Sequence, residues 1–154
     1  MRIEQVSWEA PDAVALRRRQ RAEIAEMYGT AHSEPGTAPS AGDVAVFLLA
    51  YVDGEPAGCG GLRDLGEGVG EVKRMYVDGA RRGSGVAEGV LRALEAWARE
   101  RGWQRLRLET GERQTAAVRF YTRCGYERIP NFGAYEGVAS SLCFERRLDG
   151  GDGT

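Results

Sequence analysis

The sequence predicts an α/β domain in three layers, a mixed central sheet of about seven strands with helices on both faces. Two apolar, β-branched runs flank an Asp53-Gly54 pair, the signal of an antiparallel hairpin. Glu71 to Val77 reads as a strand, is followed by a helical pattern, and leads to a second alternating stretch, Trp103 to Thr110. Two strands joined through a helix should lie parallel by a right-handed crossover. The length of 154 residues suits one domain, expected over residues 1–148.

In chain order, Arg2 to Trp8 reads as a short strand. Behind Pro11 and Asp12, the residues Ala13, Leu16, Gln20, Ile24 and Met27 recur at three- and four-residue spacing, so residues 11–28 read as an amphipathic helix. Between Gly29 and Gly42 a loop composition of Thr, Ala, Ser, Pro and Gly surrounds the only histidine, His32. Val44 to Val52 and Pro56 to Leu62 are the hairpin strands. Gly66, Gly68 and Gly70 mark a second turn before Glu71 to Val77, where strict alternation puts Val72, Arg74 and Tyr76 on one face. Glu71, Lys73, Met75 and Val77 then share the other.

Residues 83–101 carry Val86, Val90, Leu94 and Trp97 on one helical stripe, with arginines and glutamates opposite and Gly102 as terminator. Leu106 and Leu108 alternate with Arg105, Arg107 and Glu109 in the next strand, which Gly111 closes. Residues 113–124 form a short helix ending at Gly125, and strands near Tyr126 to Ile129 and Ser140 to Leu148 complete the sheet. Residues 149–154 are expected to be a disordered tail.

Twenty-one lysines and arginines against 23 acidic residues give a net charge of −2, without the cationic excess of non-specific nucleic-acid binding. No apolar run approaches a membrane span and the first residues lack a signal-like stretch, so a soluble, cytoplasmic protein is expected. Cys59, Cys124 and Cys143 are odd in number, widely spaced and set among apolar or small neighbours, as suits reduced core thiols. Neither a Cys-His pair nor spaced metal ligands occur, and no metal is expected. Arg17, Arg18, Arg19 and Arg21 spread around a helix and read as solvated surface.

The most informative segment is Asp78-Gly79-Ala80-Arg81-Arg82-Gly83-Ser84-Gly85-Val86-Ala87, a glycine turn between a strand and a helix. Glycines let backbone approach an anion closely, the helix start supplies unpaired N–H groups, and Arg81 and Arg82 add charge beside it, so the turn suits a phosphate. A Walker loop would end in Gly-Lys-Ser/Thr, whereas this helix opens with Val86-Ala87. A dinucleotide fingerprint would need a small residue where Glu88 stands, and would follow the first strand.

Arg82-Gly83-Ser84-Gly85-Val86-Ala87 resembles the Arg/Gln-x-x-Gly-x-Gly/Ala signature of the GNAT superfamily of acetyl-CoA-dependent N-acetyltransferases, in which this loop holds the pyrophosphate of coenzyme A. Val77 and Leu91 stand where that pattern has its strand-end valine and helix leucine. Gln114-x-x-Ala117-x-x-x-Tyr121-x-x-Cys124-Gly125-Tyr126 is similar to the family's Asn-x-x-Ala-x-x-x-Tyr-x-x-x-Gly-Phe segment, with Gln114 for Asn and Tyr126 for Phe. The resemblance covers residues 70–128, and the stretch from Pro130 to Gly133 is similar to small bacterial members.

What the resemblance implies is a GNAT-like fold that transfers an acetyl group from acetyl-CoA directly to a primary amine in a ternary complex. Met75, Tyr76 and Val77 would hold the pantetheine arm, Arg81, Arg82, Gly83, Ser84, Gly85, Val86 and Ala87 the pyrophosphate, and Gln114 and Tyr121 the remainder of the cofactor. The Val77 N–H would be the oxyanion donor and Tyr121 would protonate the departing thiolate. Glu71, expected on the Met75 face, is the candidate base through a water. Glu23, Glu26 and Tyr28 are candidates to line the acceptor side, and Phe132 and Tyr135, expected exposed, to wall the acceptor pocket. A small-molecule amine is the expected acceptor rather than a protein, and the resemblance implies a homodimer. A non-catalytic acyl-CoA-binding sensor or partner module is the alternative.

Overall fold

The computed structural model describes residues 1–28 and 40–148. His32 and the expected tail at 149–154 lie outside the described residues. The described elements are strands β1 (Arg2–Gln5), β2 (Val46–Val52), β3 (Glu55–Gly66), β4 (Val69–Val77), β5 (Arg105–Gly111), β6 (Glu127–Ile129) and β7 (Ser141–Arg147) with helices α1 (Pro11–Tyr28), α2 (Val86–Glu100) and α3 (Thr115–Arg123). The strands form a seven-stranded mixed sheet in the order β1-β2-β3-β4-β5-β7-β6. Only β4 and β5 pair in parallel, as the strand-helix-strand pattern predicts. Asp53 and Gly54 both take positive φ, 53° and 77°, the geometry of a two-residue hairpin turn.

Helices cover both faces. On one, Ala13 and Leu16 of α1 pack with Phe47, Leu49, Cys59 and Tyr76. The apolar stripe of α1 fades toward its end, where Met27 is exposed. Arg17 departs from the solvated reading, because its guanidinium lies 3.6 Å from the centre of the Trp8 ring. On the other face Val86, Val90, Leu91, Leu94 and Ala98 of α2 are buried against the sheet with Leu62, Val72, Leu106 and Leu108. Each fully buried leucine of that set contributes about 1.5–3 kcal/mol. The sheet lets α2 approach at Gly60, where a Cβ would come within 2.6 Å of the Met75 sulfur.

The stripe rule fails at Glu95, a residue of α2 that is fully buried. Its carboxylate accepts hydrogen bonds from Arg146 at 2.7 Å, Arg92 at 3.0 Å and the Tyr126 hydroxyl at 2.8 Å. The glutamate thus pins α2 to β7 and to the chain after α3, with its charge met by two guanidinium groups. All three cysteines are free and buried as expected, and burial pushes the Cys59 thiol up to about 12. Among the described residues no helix is long and apolar enough to cross a membrane.

Candidate active site

The site begins where two strands part company. β4 and β5 pair only through Val69–Arg105, Gly70–Leu106 and Glu71–Arg107, after which they diverge while β5 stays bonded to β7 as far as Gly111. Past Glu71 the facing edge of β4 is therefore unpaired with β5. The Asp78 N–H donates to Ala57 at 2.8 Å, which places Asp78, and Tyr76 two residues before it, among the groups that bond to β3. The backbone groups of Met75 and Val77 then point to the open edge. Their carbonyls accept there from the Gln20 amide at 2.9 Å and the Arg82 Nε at 3.0 Å.

A β-bulge in β4 corrects the predicted alternation. Tyr76 lies opposite Cys59 but Lys73 opposite Gly61, so β4 has one residue more than β3 there, and Arg74 takes φ +60°. Met75 and Val77 consequently pack with Val72 on the α2 face, while Tyr76 joins the α1 face. Glu71 is thus not on the Met75 face, contrary to the sequence expectation. It is buried at 3% exposure, accepts a hydrogen bond from the Tyr135 hydroxyl at 2.6 Å, and lies 3.6 Å from Lys73 and 3.8 Å from Arg63. The Lys73 ammonium in turn donates to the Tyr135 oxygen at 3.0 Å. Tyr135, expected exposed, is buried, and Phe132 packs edge-on to it at 5.3 Å. Asn131 holds this segment in place, its amide donating to the carbonyls of Tyr135, Val138 and Ser141.

The divergence opens a cleft of about 140 Å³ whose lining includes Val72, Lys73, Met75, Glu109, Thr110 and Tyr121. Glu71 does not line it; the carboxylate that does is Glu109, which accepts from the Ser141 hydroxyl at 2.7 Å. Tyr121 is buried with its ring edge-on to Tyr126 at 5.9 Å, and burial raises its pKa, so the phenol is protonated at neutral pH. The Thr110 hydroxyl is buried without a hydrogen-bond partner in the same cleft. Gln114 and Met75 also line a second space of about 340 Å³, which extends along Tyr76 and Val77 to Arg82. That space adjoins a third, of about 220 Å³, formed by Val77, Arg81, Gly83, Gly85, Ala87 and Arg123. The shared residues join the three into one path from Tyr121 to the glycine turn.

At the turn Gly83 and Gly85 adopt φ of +80° and +87°, and a Cβ on either would meet nothing within 4 Å. The conformation, not crowding, demands glycine, and the space outside the loop is open for a ligand. Gly85 caps α2 without a side-chain hydrogen bond to the first turn, so the first N–H groups of the helix lie at the turn. The Ser84 hydroxyl donates back to the Arg81 carbonyl, bracing the turn. Arg82 does not supply the loose charge predicted for it. It lines the turn together with Arg81 and Arg123, but its guanidinium pairs with Glu23 at 2.5 Å. Tyr76 donates its hydroxyl to the other Glu23 oxygen. Burial pushes the Glu23 carboxyl up, but the Arg82 and Tyr76 hydrogen bonds outweigh it and hold the group below the usual carboxylate range. Glu23 thus ties α1 to the turn, and Glu26 is exposed.

An unpaired strand edge leading to an anion-receptive turn fits an extended chain ending in phosphate, such as a coenzyme A thioester. The residues missed by sequence reasoning are Lys73, Glu109, Thr110 and Arg123. Alternation alone put Lys73 on the face of Glu71 and Glu109 on the face of Arg107; that these faces meet follows from the Glu71–Arg107 register, which the sequence does not give.

The model of a family described as the acetyltransferase (GNAT) family matches residues 6–126. An IAA acetyltransferase of Azospirillum brasilense is 37% identical over 103 residues, 66% of this chain and 67% of that protein. The uncharacterized N-acetyltransferase YsnE of Bacillus subtilis is 33% identical over 104 residues, 66% of this chain and 69% of that one. A crystal structure of a candidate acyl-CoA N-acyltransferase from Klebsiella pneumoniae superposes with a TM-score of 0.82 at 34% identity, covering 96% of this chain and 97% of the other. The PaiA N-acetyltransferase of Thermoplasma acidophilum, solved in complex with coenzyme A, shares the fold with a TM-score of 0.70 at 17% identity over 96% of this chain and 99% of the other.

Proposed function

The chain belongs to the GNAT acetyltransferase family, and from that premise we propose that it transfers an acetyl group from acetyl-CoA to the primary amine of a small acceptor, directly, in a ternary complex. The observation that carries the reading is the path from Tyr121 through the divergence of β4 and β5 to the open glycine turn. A bound thioester supplies an activated acyl carbon; every other function falls to this chain's residues.

Gly83, Gly85 and the first N–H groups of α2 hold the pyrophosphate, with Arg81 and Arg123 beside them. The open edge at Met75 and Val77 aligns the pantetheine arm, and Gln114 lines its course. The Val77 N–H donates to the thioester carbonyl oxygen, where negative charge builds as the amine adds. Glu109, set by Ser141, takes the proton that the amine must lose. The new C–N bond forms, the C–S bond breaks, and the Tyr121 hydroxyl delivers a proton to the sulfur. Glu71 is assigned no proton transfer, since it lies off the cleft and fixes Lys73 and Tyr135 instead.

Isothermal titration with acetyl-CoA, with ATP and NAD as controls, tests the cofactor, and thiol release across a panel of amines tests turnover. Binding of acetyl-CoA alone with amine-dependent thiol release is expected. A folded sample that binds none of the three would overturn the reading, and binding without thiol release would favour a sensor of acyl-CoA.

A further inference from the structure

We infer that the acceptor amine also carries a carboxylate, as a small amino acid does, and that it binds with its carboxylate toward Lys73 and its amine toward Glu109. This inference rests on the acyl-transfer reading above and adds the chemical class of the acceptor to it.

The two walls of the cleft differ in kind. On the side facing α2 and α3 stand Val72, Leu108 and Ala117, with Tyr121 the donor among them. On the α1 side the charged residues are Lys73, Arg74 and Glu109. Two of those three charges are positive. A purely cationic acceptor would approach the charge of Arg74 and that of Lys73, which Glu71 offsets in part from behind, in a half-enclosed site where such repulsion is poorly screened. The acids that the sequence offered for attracting a cation are engaged elsewhere. Glu23 is held by Arg82 and Tyr76, and Glu71 stands behind Lys73.

The ammonium of Lys73 is also held in place. Its side chain is 5% exposed and donates to the Tyr135 oxygen at 3.0 Å, and the Tyr135 hydroxyl donates on to Glu71 at 2.6 Å. Asn131 secures the backbone around Tyr135. A cation whose position is set before the ligand arrives loses little freedom on binding it, which favours an anion at that place. Glu109, set by Ser141, faces the same side of the sheet, because it lies two residues beyond Arg107 as Lys73 lies two beyond Glu71. A fixed cation and a fixed anion on one wall match a zwitterion, and the cleft volume of about 140 Å³ limits it to small ones.

Paired acceptors test the assignment: leucine against 3-methylbutylamine, methionine against 3-(methylthio)propylamine, and spermidine as a cation without carboxylate, each assayed by thiol release at saturating acetyl-CoA. In at least one pair the carboxylated member is expected to have kcat/KM higher by at least about tenfold. Lys73→Met should raise KM for that amino acid and bring the ratio toward unity, and Arg74→Gln, which keeps Lys73, Glu71 and Tyr135 in the chain, should narrow it if Lys73→Met does not fold. Equal or better turnover of the decarboxylated amines, or of spermidine, overturns the assignment and leaves acyl transfer standing. If calorimetry shows acetyl-CoA bound and no amine releases thiol, the acyl-transfer reading itself fails and this inference falls with it.

Discussion

Glu95→Ala removes the carboxylate at the centre of a buried cluster. Arg146 would lose the carboxylate 2.7 Å away and Tyr126 the acceptor of its hydroxyl, and both stay in the core, since Arg146 is only 15% exposed and Tyr126 only 2%. Breaking one side of a buried charge pair in this way costs about 3–5 kcal/mol. For a chain of this size each kcal/mol is roughly 2–4 °C in melting temperature, so a fall of roughly 6–20 °C is expected. Tyr126→Phe loses one hydrogen bond and leaves both arginines on Glu95, for which about 1 kcal/mol is expected. Urea unfolding of the wild type and both variants, with unchanged slopes, gives the comparison directly. A loss below about 1 kcal/mol in Glu95→Ala would refute the account, because the desolvation of the charges would then cancel what their pairing contributes.

Tyr121→Phe should lower kcat while leaving acetyl-CoA affinity intact, as steady-state rates and calorimetry on the same preparation will read; an unchanged kcat removes the acid role. Gly85→Asp should abolish coenzyme A binding, because it adds a β-carbon at a φ of +87° and a negative charge at the start of α2, and an unaltered dissociation constant would show that the turn holds no phosphate. The depressed pKa of Glu23 makes its stabilisation fully present above the ordinary carboxylate value, and it is lost as pH falls through the folded value. The stability difference between wild type and Glu23→Gln, measured by urea titration at several pH values, should therefore shrink on acidification; a difference that stays constant would refute it.

The elements that local rules govern were legible in the sequence. The Asp53-Gly54 turn, the α2 stripe of Val86, Val90 and Leu94, and the glycine turn before it all stand where propensity and spacing place them. What escaped depends on contacts between residues far apart in sequence. Arg74 occupies a bulge at positive φ, a conformation usually marked by Gly or Asn, so no residue type announced the change of face at Met75. Glu95 stands among the charged residues opposite the apolar stripe, and Arg146 and Tyr126, folded back over it beside Arg92 of its own helix, make its burial tolerable. Arg82 reads as a free cation until α1 brings Glu23 to it.

The extra residue in β4 gives that strand two reading frames. Ahead of Arg74 the odd positions look toward α1; beyond it they look toward α2. Position 73 can therefore be changed to alter the acceptor wall without changing the faces that Met75, Tyr76 and Val77 present. Deleting the single residue at 74 would remove the bulge and restore strict alternation, leaving Met75, Tyr76 and Val77 on their present faces while taking one cation from the acceptor wall. The acceptor wall and the cofactor edge thus occupy successive stretches of one strand, and the first can be altered without turning the second.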